Sequence, residues 1–313
     1  MKKIISLILV LAISCLVLAS CGAPDTDINI GVMSGPTGMG MAKLMNYEQN
    51  DDSNYSFSIY SSPEEATAKL VKGEIDMLCL PTNVAANLYN KNQNIKVLAI
   101  NTLGSLYLLT APGVEVSSVK DLEGKTVYTS VPTSTTGPII NYILEKNEVN
   151  ATIEFEADHN ALAAKVIKGT VDYAILPEPI VTNALTKNPN YTTALNLSTE
   201  WDKVSDEPLV MGCIVVRADF LNENLAAVNW FLDRYEDSIE YIGAKKNNTA
   251  AAQMIINQKI VPAFTENKQA ESALNNLYGS IEYIDGDDMK EALYDFYTAI
   301  GMTQPDNGFY FDD

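Results

Sequence analysis

The feature that most limits what this chain can fold into is an internal repeat. Ser34, Pro36 and Thr37 recur 96 positions on as Ser130, Pro132 and Thr133. The match continues without a gap: Ala68-Lys69 with Ala164-Lys165, Lys72-Gly73 with Lys168-Gly169, Asp76 with Asp172, Leu80-Pro81 with Leu176-Pro177, Asn87 with Asn183, and Lys91-Asn92 with Lys187-Asn188. A long repeat means stacked or duplicated units, and two copies are too few for a solenoid. Similar βαβ units would share apolar positions for general reasons. Identical polar positions argue for two related α/β lobes.

Each copy alternates strand and helix signals. In the first, the apolar run Ile28–Met33 reads as a buried strand, and the Gly- and Pro-containing Ser34–Gly40 reads as a turn into a helix. Tyr55–Tyr60 alternates. Ser62, Pro63 and the acids Glu64 and Glu65 suit a helix start. Ile75–Leu80, Ile95–Ile100 and Ser105–Ala111 follow as extended runs. Alternating strands and helices predict parallel sheets covered on both faces. After the second copy, Pro208–Val216 is strand-like, and Asn222–Tyr241 carries a helical apolar stripe. Further helices are predicted at about 248–258, 265–278 and 286–300. This last part resembles neither copy and is read as completing the first lobe. The expected fold is therefore α/β, with two Rossmann-like lobes joined by a two-strand hinge. Residues 28–112 and 210–313 form lobe 1 and residues 113–209 form lobe 2. Crossings are placed near 111–116 and 205–212, and the hinge leaves a cleft between the lobes.

The N-terminus reads as an export signal. Lys2-Lys3 precede the apolar stretch Ile4–Val17, and small residues follow it. The stretch is too short for a convincing membrane span. Leu18-Ala19-Ser20-Cys21 resembles the lipobox of bacterial lipoproteins. That resemblance implies removal of residues 1–20, lipidation of Cys21, a short tether to residue 27, and an extracytoplasmic protein anchored to the membrane. A plain signal peptide is the alternative. The formal charge is -19; losing Lys2 and Lys3 with the signal makes it -21. A nucleic-acid partner is excluded on this ground, since phosphate binding needs clustered Lys and Arg. Cys79 and Cys213 lie in strand-like runs and read as buried thiols, with a disulfide between them left open. One histidine and no CxxC leave no metal site, and no cofactor is expected.

The order of features is specific: a lipobox, a strand with Ser-Gly-Pro-Thr-Gly, then Lys-Gly-Glu-Ile-Asp at 72–76 and its echo Lys-Gly-Thr-Val-Asp at 168–172. Asp121-Leu122-Glu123-Gly124-Lys125-Thr126-Val127 is similar to the lobe-2 entry segment of many solute-binding proteins. Together these resemble a substrate-binding protein of an ABC importer with the type II periplasmic-binding fold. The branch resembled is the one for nitrate, alkanesulfonate, taurine and thiamine-pyrimidine precursors. The resemblance covers nearly the whole mature chain. It implies a monomer that traps a small molecule between its lobes and docks on a membrane permease.

In such a cleft the loops at the strand carboxyl ends meet the ligand. In lobe 1 these supply Ser34, Pro36, Thr37, Gly38, Tyr60, Ser61, Thr82, Asn83 and Asn101. In lobe 2 they supply Ser130, Thr133, Ser134, Asp158 and Glu178, with His159 beside Asp158. None of the loops carries Lys or Arg, while Asp158 and Glu178 favour ligand N–H groups or cations. The expectation is an uncharged or amine-bearing organic ligand rather than nitrate. Tyr60, Tyr107 and Trp201 can either stack on a ring or pack in the core. No nucleophile has a recognisable base, so no catalytic residue is assigned. Two alternatives remain at this point: a ligand-sensing lipoprotein without a permease, and an enzyme of the pyrimidine-synthesising kind on a related fold.

Overall fold

The structure, a computed structural model, describes residues 24–48, 54–92, 94–130 and 135–312. The chain begins with β1 (Ile28–Met33), α1 (Pro36–Met39), α2 (Ala42–Glu48), β2 (Tyr55–Tyr60), α3 (Pro63–Val71), β3 (Met77–Pro81), α4 (Thr82–Asn92) and β4 (Ile95–Leu103). A second series follows: β5 (Leu106–Thr110), β6 (Thr126–Ser130), α5 (Thr136–Lys146), β7 (Thr152–Glu156), α6 (His159–Lys168), β8 (Tyr173–Pro177), α7 (Ile180–Lys187), β9 (Thr192–Asn196) and α8 (Leu197–Trp201). The chain ends with β10 (Val210–Arg217), α9 (Ala218–Glu223), α10 (Leu225–Gly243), α11 (Asn248–Asn257), α12 (Asn267–Asn276) and α13 (Gly286–Ala299).

The helix starts follow from local chemistry. Ser62 accepts a hydrogen bond from the Glu65 amide at 3.2 Å, with Pro63 in the first turn of α3. Asp158 accepts from the Ala161 amide at 2.7 Å at the same point of α6. Each side chain satisfies an amide that the helix itself leaves unpaired. Helix α6 stops at Gly169, whose φ of 71° is left-handed, where a side chain would be strained.

The strands form two five-stranded sheets, ordered β2-β1-β3-β10-β4 and β7-β6-β8-β5-β9. The repeat is visible here: β2, β1, β3 and β4 of one sheet take the places of β7, β6, β8 and β9 of the other. Strands β1, β2 and β3 pair in parallel, as do β6, β7 and β8. The sheets are nonetheless mixed rather than parallel. Strand β10 runs antiparallel to both β3 and β4, and β5 runs antiparallel to β8 and β9. This moves the first crossing. The stretch Ser105–Ala111 was expected ahead of a crossing at 111–116, but Leu106–Thr110 is already hydrogen-bonded into the second sheet. The chain passes between the sheets at Gly104-Ser105, directly after β4. The reason is that β5 is buried along its whole length and, before Thr110, carries only hydrophobic residues, a pattern that suits the middle of either sheet.

Two cores belong to single sheets. One packs β1, β3 and β10 against α10, α11 and α12 through Ile30, Met77, Ile214, Phe231, Tyr235 and Ile255. Another packs β5 and β8 against α6 through Leu109, Leu176 and Val166. The third runs without interruption through both lobes, from Leu80 and Val97 to Leu108, Val127 and Trp201. Trp201 is its pivot, with ring centroids 4.7 Å from Tyr142 and 5.9 Å from Phe296 of α13.

The question left open for Cys79 and Cys213 is answered by register. Ile214 lies opposite Cys79 and Leu80 lies opposite Cys213, so the two thiols sit on opposite faces of one sheet. Accordingly, Cys79 joins one core and Cys213 another, and both are free and buried. Burial holds the Cys79 thiol up at about 12, against the hydrogen bonds of Tyr235 and Asn101, and raises Cys213 further. We expect a form beginning at Gly22 to show no thiol reaction with a disulfide reagent when native and two equivalents in guanidinium. A bond between these cysteines would leave none.

Candidate functional site

A cleft of about 780 Å³ lies between the two sheets, at the carboxyl ends of their parallel strands. Besides the four-residue α1, five helices open onto it. Ser62, Pro63 and Glu64 start α3, Asn83 and Val84 start α4, Thr135 and Thr136 start α5, Asp158, His159 and Asn160 start α6, and Pro179 and Ile180 start α7. Helix starts carry unpaired amides and a partial positive charge, so they suit oxyanions and carbonyls. Hydroxyls of Ser34, Thr37, Ser61, Thr102 and Ser105 add to the wall. The lobes meet at one corner of the cleft, where a Cβ on Gly35 would come within 3.8 Å of Cδ of Pro179. The Glu178-Pro179 peptide is cis.

Of the residues expected here, Ser34, Pro36, Thr37, Ser61, Asn83, Asp158 and Glu178 line the cleft. Gly38 does not. A Cβ there would lie 2.1 Å from the Met33 carbonyl oxygen, so glycine is required by the packing of α1 on β1. Thr82 is buried one layer down, its carbonyl accepting from the Tyr297 hydroxyl at 2.9 Å. Asn101 is also beneath the wall. It donates to the Tyr235 hydroxyl at 3.0 Å and accepts from Thr102, also at 3.0 Å. Tyr60 contributes its backbone, whose carbonyl accepts from the Ser34 amide at 2.7 Å, and its ring stays outside the lining. Ser130 is buried and hydrogen-bonded to Nδ1 of His159, so it supports the histidine rather than lining the cleft. Thr133, Ser134 and Cys21 lie outside the described residues. Tyr107 and Trp201 pack in cores.

Two charged residues of the wall were missed, Glu64 at the start of α3 and Lys91. Lys91, on the last turn of α4, lines the cleft and makes no ion pair among the described residues. The loops indeed lack cations, but the helix wall behind them does not. The signal was in the sequence: Asn83, Asn87 and Lys91 recur every fourth residue, which sets them on one face of a helix.

Three carboxylates share the cleft. Glu64 accepts from the Ser62 hydroxyl at 2.7 Å, and Asp158 caps α6. Glu178 differs from both, because it is only 1% exposed. Its carboxylate accepts from the Thr182 hydroxyl at 3.0 Å, the Thr182 amide at 3.3 Å and the Asn276 side chain at 2.5 Å. Asn276 ends α12 and belongs to the other lobe. Its carbonyl also accepts from the Tyr107 hydroxyl. Burial pushes Glu178 up to about 7, against the pull of those three donors. Burial lowers His159, with Asp158 opposing, so the ring is neutral at pH 7 and can take one hydrogen bond and give another.

A buried acid of this kind has a definite linkage. Its pKa in the fold lies above the ordinary value of 4.5, so its contribution to stability is full below about 4.5 and is lost as pH rises through about 7. We expect the stability difference between the protein and Glu178→Gln to fall by ~3 kcal/mol across that interval and to level off above it. Urea titrations at a series of pH values check this; a difference constant with pH would contradict it.

The comparisons agree with this geometry. A family model described as "ABC transporter, phosphonate, periplasmic substrate-binding protein" matches residues 45–221. No curated protein matches the chain. Among solved structures, an ABC transporter protein from Parabacteroides distasonis superposes with a TM-score of 0.72 at 22% identity, over 92% of this chain and 99% of that one. The periplasmic aliphatic sulphonate binding protein SsuA from Escherichia coli gives 0.68 at 13% identity, over 93% of each chain. The periplasmic nitrate-binding protein NrtA from Synechocystis PCC 6803 gives 0.60 at 13% identity, over 86% of this chain and 76% of that one. These similarities establish the periplasmic-binding-protein fold. With the family match spanning more than half of its length, the chain belongs to the phosphonate family of periplasmic substrate-binding proteins, the ligand-capturing components of ABC importers.

Proposed function

We propose that the protein captures a small organic molecule carrying both an oxyanion and an amine and delivers it to an ABC permease. One observation carries the reading: five helix starts and the unpaired Lys91 share a cleft with the buried carboxyl of Glu178. The helix starts and Lys91 favour negative charge. Glu178 favours a positive group, since a charge-assisted hydrogen bond is about twice as strong as a neutral one. The family description names phosphonates, and two of the superposed proteins are named for sulphonate and nitrate. All three are oxyanions. The carboxylates are what sets this chain's reading apart from an inorganic anion site, and they retain the amine expected from sequence.

Capture without turnover is part of the same reading. Ser130 and His159 are paired, but the Asp158 carboxylate is committed to the Ala161 amide and does not hold the ring as a triad acid would. We place the hinge at the two passages between sheets, Gly104-Ser105 and the segment between β9 and β10. The working unit is a monomer. Cys21 is the lipid attachment point, which keeps the protein on the outer face of the cell membrane within reach of its permease.

Calorimetry tests the ligand. We expect 2-aminoethylphosphonate to bind with micromolar affinity, about -8 kcal/mol in total, and ethylphosphonate to bind roughly tenfold more weakly. Glu178→Gln and Asp158→Asn should each weaken the amine ligand by about tenfold while sparing ethylphosphonate. Asparagine still caps a helix, so Asp158→Asn removes charge without removing the cap. Unchanged affinity in both variants would overturn the assignment. For the anchor, Cys21→Ser should move the protein from the membrane fraction to the soluble fraction; retention on the membrane would argue for a different attachment.

A further inference from the structure

Glu178 occupies an unusual place even within the cleft. It belongs to lobe 2 yet receives its shortest hydrogen bond from lobe 1, through Asn276 at the end of α12. The same residue takes the Tyr107 hydroxyl on its carbonyl, so α12 is fastened to lobe 2 at two points around one carboxyl. On the lobe-2 side, Thr182 supplies two donors, and the Glu178 amide is held by the Ser105 carbonyl at 2.9 Å, in the passage between the sheets. The carboxyl therefore sits where the lobes close on each other, out of water.

We propose that Glu178 makes closure of the lobes conditional on a positively charged group in the cleft. Closure brings Asn276 over a carboxylate that, when ionised, resists losing its water. Neutral hydrogen-bond donors offset only part of that cost. In the empty protein at neutral pH and above, the ionised carboxylate holds the lobes apart. A ligand ammonium in the cleft supplies the missing counter-charge and removes the penalty. Protonation removes it too, so the empty protein closes more readily in acid. The direction agrees with the raised pKa of Glu178 in the closed arrangement. A group that binds its proton more tightly when covered must favour the open state when it ionises.

The charged and titratable groups around it do not supply the counter-charge. Tyr107 of β5 donates to Asn276. On the cleft wall, α3 contributes Glu64, α4 contributes Lys91, and α6 contributes Asp158 and the neutral His159. Of these only Lys91 is cationic, and it makes no ion pair with Glu178.

The ligand part of this inference rests on the reading in the preceding subsection, and the ligand-free part does not, so the decisive experiment omits ligand. Ala68 and Ala164 are exposed on α3 and α6, one in each lobe. Dyes on Ala68→Cys and Ala164→Cys report lobe separation by single-molecule energy transfer, while Cys79 and Cys213 stay buried. We expect the closed-to-open ratio of the empty protein to fall by about tenfold or more between pH 5 and pH 8, and to be independent of pH in Glu178→Gln. That comparison holds His159 constant. A ratio that is flat or rises with pH in the unmodified background overturns the proposal without any need for the variant to fold. The same fall persisting in Glu178→Gln also overturns it. In a second arm at pH 8, 2-aminoethylphosphonate should restore closure and ethylphosphonate should not. If neither phosphonate binds while the ligand-free pH dependence stands, the ligand reading fails and the role of Glu178 survives.

Discussion

Each sheet is completed by a strand that arrives from the other lobe, and the rest of the architecture depends on this exchange. Strand β5 leaves the first sheet after β4 and enters the second between β8 and β9; β10 returns and enters the first between β3 and β4. Both run antiparallel to their neighbours: β5 follows β4 directly, and β10 enters after the short helix α8 and the segment 202–209. Each lies one place in from the edge, hydrogen-bonded on both sides. Neither lobe can therefore form its sheet without the chain that links it to the other. This ties the two passages, and so the cleft between them, to the interior of each sheet.

Much of this was legible beforehand because duplication leaves identical polar residues at fixed spacing. The helices α3 and α6 start at Pro63 and His159, and β3 and β8 begin at Met77 and Tyr173, in both cases 96 positions apart. What was not legible is which sheet a fully buried strand joins. Leu106–Thr110 has no polar face to mark a register, so hydrophobicity alone could not assign it. The same limit applied to the site. Thr37 and Thr82 both follow strands and both look like wall residues, yet one lines the cleft and the other is roofed by Tyr297. Sequence locates the end of a strand; depth below the surface depends on what packs over it, and Tyr235 and Tyr297 come from the distant third segment.

The carboxylates show how environment divides residues that look alike. In sequence Asp158 and Glu178 are two acids at strand ends. In the structure Asp158 is exposed and serves the backbone of α6, whereas Glu178 is covered by both lobes. Desolvation then dominates the second. Lys91 completes the contrast, since a lysine at the rim keeps its water and acts at a distance through its charge.

The core that passes through Trp201 has a thermal consequence. Leu80, Leu108, Val127 and Phe296 belong to one continuous apolar body that runs through both lobes. That region is already dry before any ligand arrives, so it has little water left to shed when the jaws come together. The heat-capacity change of capture should then come from the ligand and the cleft walls, with little from this interior, unlike that of proteins whose halves meet through a fresh apolar seam. The temperature dependence of affinity in this molecule is in consequence set at the cleft walls.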